Sequence, residues 1–77
     1  MKLFGYVESN LPAEEIVPSE LAEVTVCASP EALRVMAAFL NHCATEMERM
    51  GEAYDHIHLS DRHKQFQSSP HFVVCKE

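Results

Sequence analysis

The chain has no tryptophan, and Gly5 and Gly51 are its only glycines in 77 residues. Two glycines so far apart build neither a P-loop nor a dinucleotide-binding fingerprint, and no Gly-x-Ser-x-Gly elbow occurs. Basic residues are also few: 6 Lys and Arg stand against 12 Asp and Glu, a net charge of −6. Binding to nucleic acid through its phosphates needs Lys/Arg clusters, and so does binding to anionic lipid. Neither partner is expected. No run of 18 or more apolar residues is present, so no membrane-spanning helix is expected. The three cysteines, Cys27, Cys43 and Cys75, are odd in number and form no Cys-x-x-Cys. That pattern is neither a disulfide framework nor a zinc knuckle. The opening MKLFGYVESN has one Lys and an apolar stretch cut by Gly5 and Glu8, unlike a secretory signal. A cytoplasmic chain with reduced thiols is the expectation.

What is present is globular. Apolar residues make up 47% and charged residues 23% of the chain, ordinary values for a folded domain. The length suits a single domain, residues 1–77, with one modest core. Domains of this size are marginally stable, and a partner or a second copy adds burial. The acidic surplus would attract and steer a basic partner, although solubility alone also accounts for it.

Period-two patterning marks the strands. Residues 2–8, KLFGYVE, alternate Leu3, Gly5 and Val7 against Phe4 and Tyr6. Residues 9–20 carry Pro12, Pro18 and three glutamates, Glu14, Glu15 and Glu20, and read as an acidic loop. Residues 21–28, LAEVTVCA, read as a second strand rich in β-branched side chains.

A helix over about residues 30–50 follows. Ser29 fits the N-cap, Pro30 fits N1, Glu31 lies in the first turn and Gly51 fits the position after the end. Leu33, Met36, Ala37, Leu40, Cys43, Ala44, Met47 and Met50 step by threes and fours. They cover roughly a 140° apolar arc, wide enough for a helix lying across a sheet. Phe39 extends that arc. Arg34, Asn41, His42, Thr45, Glu48 and Arg49 form the polar face, with His42 expected in solvent and Cys43 in the core. The methionines of this arc read first as core filling.

Beyond the helix, Ile57 and Leu59 alternate with His56 and His58 and suggest a short strand. Residues 60–70 read as a loop, and residues 71–76, HFVVCK, as a last strand. The class is α+β: a small antiparallel-type sheet of three or four strands, ordered β-β-α-(β)-β, with one long amphipathic helix on one face.

Chemistry is sparse. His56 and His58, two apart on a strand, share a face and could ligate one metal, with Asp61, His63, His71 or Cys75 completing the set. The commoner outcome for two histidines lacking a fixed third ligand is that both imidazoles face solvent or a partner. Four of the five histidines lie between residues 56 and 71, which suits a pH-sensitive patch, though chance clustering explains it as simply. Cys43 sits on the apolar arc, while Cys27 and Cys75 sit on strands away from any helix N-terminus, so no activated thiol is expected. Ser60 beside His58 and Asp61 is a sequence neighbourhood and not a triad. The Glu14–Glu15 pair reads as solvated charge. No catalytic residue and no cofactor are expected.

Residues 21–61 resemble the immunity protein 32 family, small bacterial proteins that are predicted immunity proteins of polymorphic toxin systems. The resemblance runs through a Glu-Val-Thr-Val strand, Ser-Pro-Glu at the helix start, Ala-Ala-Phe-Leu and Cys-Ala-x-Glu-Met-Glu within it, then Gly, then His-x-His-Leu-x-Asp. The opening KLFGYVE looks similar too. His63 stands where that family often has Trp. The resemblance implies a non-enzymatic protein that binds and neutralises a toxin, with a basic toxin domain as the candidate partner. Glu14, Glu15, Glu20, His56, His58 and Asp61 are the expected contact residues. Two other readings stand beside it: a metal-binding protein using His56 and His58, and a homodimeric interaction domain.

Overall fold

A computed structural model describes residues 1–7 and 10–77. The end of the first expected strand, Glu8, and the start of the acidic loop, Ser9, lie outside the described residues.

The helix is the best-defined element. α1 spans Pro30–Met50. Ser29 caps it: its hydroxyl oxygen accepts from the Ala32 amide at 3.1 Å, satisfying one of the orphan donors of the first turn. Pro30 at N1 loses no hydrogen bond there. The helix stops at Gly51, whose φ of +58° is open to glycine and strained for other residues. A 3-10 turn, Gly51–Ala53, then reverses the chain.

The α+β class holds, with the strands divided between two small antiparallel sheets. β1, Leu3–Gly5, pairs with β2, Ser19–Leu21, placing Leu3 opposite Leu21 and Phe4 opposite Glu20. β3, His56–His58, pairs with β4, Val73–Cys75, placing His56 opposite Cys75 and Ile57 opposite Val74. β2 therefore lies N-terminal to most of the expected second strand and shares only Leu21 with it. Residues 22–28 join no sheet among the described residues. Alternation reports extended backbone, and pairing needs a neighbouring edge that β1 supplies only as far as Leu21. The loops also carry short helical turns, Ala13–Glu15 and Lys64–Phe66, and a four-residue helix, α2, Leu59–Arg62.

The core is small. Phe39, Cys43 and Leu59 are buried together, with Met36, Ile57, Phe66, Phe72 and Val74 packed against them. The Phe39 and Phe72 rings meet edge to face at 6.3 Å between centroids, a favoured aromatic geometry. Ile57, Phe72 and Val74 all come from one face of the β3–β4 hairpin, which thus lies on α1 as a lid. The covered face of α1 is centred near Phe39 and Cys43, on one flank of the expected apolar arc. His42 is therefore half-buried, not in solvent, while Leu33, Ala37, Leu40 and Ala44 are exposed. The helix turned because bulk decides which flank a thin hairpin covers, and Phe39 is the largest side chain available.

Candidate functional site

The β3–β4 hairpin sorts its side chains by face. Alternation sends Ile57 and Val74 inward, so His56, His58, Val73 and Cys75 take the outer face. His71, two residues before β4, reaches the same side. Its ring lies 5.7 Å from that of His58, which lies 5.1 Å from that of His56. Three imidazoles thus form a row across the hairpin. Asp55 anchors one end, its Oδ2 at 2.6 Å from Nδ1 of His56. His56 is exposed and His58 half-buried. Among the described residues no group of three or more His, Cys, Asp or Glu side chains is arranged to hold a metal ion.

Asp61 is exposed on α2. Leu59 ties that turn to the hairpin: its amide donates to the Phe72 carbonyl at 2.8 Å, and its side chain enters the core. His63 ends α2 and is half-buried, apart from the imidazole row. The period-two pattern placed His56 and His58 together. The arrival of His71 depends on the β3–β4 register, which a single sequence does not reveal.

Glu14, Glu15 and Glu20 all lie on the N-terminal hairpin. The first two sit in the 3-10 turn, and Glu20 shares the outer face of β1–β2 with Phe4. All three are exposed. The chain ends bring the two hairpins near each other, since the N-terminal ammonium lies 3.6 Å from Oε2 of Glu77.

A further charged pair lies on α1. Arg49 donates from Nε to Oε2 of Glu46 at 2.8 Å, and a second guanidinium nitrogen donates to the same oxygen. Arg49 holds the Glu46 carboxyl below the usual carboxylate range, with smaller contributions from His42 and Arg62. Arg62 of α2 thus adds positive charge toward Glu46, in the C-terminal part of α1.

Below the hairpin, Tyr54 is the buried residue with a polar tip. Its hydroxyl donates to the Val74 carbonyl at 2.9 Å. Burial first, then the neighbouring Cys43 thiol, push the phenol up to about 12. Cys43 is a buried free thiol, while Cys27 and Cys75 are exposed. A shallow groove of about 310 Å³ runs between residues 24–28 and the core, lined mainly by Val24, Val26, Met36, Phe66 and Phe72. Among the described residues, no helix is long and apolar enough to cross a membrane.

This is a small α+β domain that carries its histidines and carboxylates outward on hairpins and turns. It belongs to the immunity protein 32 family: the family model described as Immunity protein 32 matches residues 23–77. The match covers α1, β3, α2 and β4, including His56, His58 and Asp61. It begins after the β1–β2 hairpin, so the opening KLFGYVE and Glu14, Glu15 and Glu20 lie before it. No curated protein and no solved structure matches the chain.

Proposed function

We propose that the protein is a non-enzymatic immunity protein, acting in a bacterial cytoplasm, that neutralises a cognate toxin by direct binding. Family membership over residues 23–77 carries this reading. The contact surface is assigned to Glu14, Glu15 and Glu20 on the first hairpin and to His56, His58 and Asp61 on the second and its following turn.

The physical chemistry supports it. A chain of net charge −6 creates a field that draws a basic toxin domain and steers its approach. Among the described residues, the six assigned side chains make no ion pair beyond the contact of His56 with Asp55, and the carboxylates of Glu14, Glu15, Glu20 and Asp61 are exposed. The imidazoles add flat, partly apolar rings with donors and acceptors at their edges, a surface suited to contact at a desolvated centre.

The test is co-expression with the toxin encoded beside this chain. Cells carrying both survive, the toxin co-purifies with the chain, and cells carrying the toxin alone die. Equal survival with and without the chain, in cells where the toxin is active, would reject the proposal.

A further inference from the structure

We propose that two copies of this chain pair through the outer stripe of α1, antiparallel, about a twofold axis. The first observation is a surplus of surface. The 8.7 kDa chain exposes 6418 Å², whereas a compact monomer of that mass exposes about 4,700 Å². Its radius of gyration is 13.3 Å, against about 11.5 Å for a compact domain of this length. Folding covers only about half of the unfolded chain's surface, where about 60% is usual even for a smaller domain. Reaching that fraction requires covering roughly 1,400 Å² more per chain, or roughly 2,800 Å² per pair. This lies within the range of obligate homodimer interfaces, about 2,000–5,000 Å².

The second observation is where α1 leaves apolar surface open. Leu33, Ala37, Leu40 and Ala44 fall within a band of about 60° on the helix. Leu33 and Leu40 are each 46% exposed, and both alanines are exposed. No member of the stripe carries charge. The covered face of the helix, around Phe39 and Cys43, lies to one side of it.

The third observation selects the occupant. Along α1 the stripe reads Leu, Ala, Leu, Ala, and reversed it reads Ala, Leu, Ala, Leu. Two such stripes laid antiparallel, with the axis midway between Ala37 and Leu40, match large against small at every level. Leu33 meets the partner's Ala44, and Ala37 meets the partner's Leu40. The remaining two contacts are the same pairs seen from the other chain. A twofold interface requires this self-complementarity, because residue i must meet j while j meets i. Leucine seated over alanine also lets the backbones approach closely and leaves no void.

Other exposed apolar residues on the chain, among them Phe4, Val24 and Val26 at 59%, 54% and 48% exposure, leave further surface for a second copy to cover. The stripe shares no residue with the assigned toxin-contact surface, so pairing and toxin binding stand or fall separately.

The experiment is sedimentation equilibrium of the full chain alone, at concentrations up to about 100 µM. The expected mass is twice that of the chain. Ala37→Leu sets leucine against the partner's Leu40, overfills the contact and weakens pairing about tenfold or more. Adding Leu40→Ala to it restores the alternation and the dimer. Circular dichroism of both variants checks that α1 is intact. A wild-type monomer throughout, or unchanged pairing in Ala37→Leu, or no recovery in the double variant, overturns the proposal. A chain that stays monomeric alone and yet captures its toxin overturns pairing and leaves the immunity reading standing.

Discussion

The hydroxyl of Tyr54 donates a 2.9 Å hydrogen bond to the carbonyl of Val74. This bond joins the turn after α1 to the last strand, twenty residues further along the chain. It fixes the β3–β4 hairpin on the helix at the end remote from Leu59. Tyr54→Phe keeps the ring and strands the carbonyl. A loss of about 1–3 kcal/mol is expected, read as a lower urea midpoint with an unchanged slope.

The same phenol makes stability depend on alkaline pH. Its folded pKa is pushed up to about 12, while an unfolded tyrosine titrates near 10, at about the model-peptide value. Folded protein therefore holds a proton that unfolded protein has released. The stabilisation is complete below about pH 10 and is lost as pH rises from about 10 to about 12. Urea unfolding in alkaline buffers should show the midpoint falling across that window, and Tyr54→Phe should lose this part of the fall. An equal slope in wild type and variant would contradict it.

Phe39 carries much of the core. It is 1% exposed and touches both the helix neighbours and Phe72. Phe39→Ala should cost about 3–5 kcal/mol. Against a total stability of about 5–15 kcal/mol, that loss should lower the melting midpoint by more than about 10 °C, as thermal melting by circular dichroism will show.

Ser29 caps the one long helix. Ser29→Ala should cost about 0.5–2 kcal/mol, and Ser29→Asp should restore most of it, because a carboxylate accepts the same amide hydrogen bond. Chemical denaturation of the three proteins checks the order.

For the proposed toxin surface, Glu14→Gln, Glu15→Gln and Glu20→Gln together should slow association several-fold and flatten its salt dependence. His56→Ala and Asp61→Ala should instead speed dissociation. Stopped-flow association and surface-plasmon dissociation separate the two. If affinity stays within about twofold after all five changes, the contact surface lies elsewhere.

Local signals in the sequence located α1 closely, because Ser29, Pro30 and Gly51 each act through their own backbone. Non-local facts were less legible. The spacing of Leu33, Leu40 and Ala44 showed that they are apolar neighbours, and Phe39 showed up only as an extension of their arc. Which flank lies under the hairpin depends on bulk at Phe39 and Phe72, residues far apart in the chain. His42 was misplaced for that reason. The alternation in residues 21–28 correctly reported extended backbone, yet the partner strand ends opposite Leu21. His56 and His58 were placed on a common face by alternation alone, while His71 joined them through the β3–β4 register. The carboxylates of the first hairpin were readable as exposed because prolines and glutamates rarely fill a core.

The extended stretch ahead of α1 has a consequence in time. Among the described residues, no backbone–backbone hydrogen bond involves residues 22–28, so their amide protons need no unfolding event to reach water. Those of α1 are tied into its helical ladder and await a larger opening. Placed in heavy water, the chain should acquire deuterium quickly at residues 22–28 and slowly along α1. Anything that settles an edge against residues 22–28 would slow the fast phase. The isotope uptake of this one segment is therefore a gauge of whether it has company.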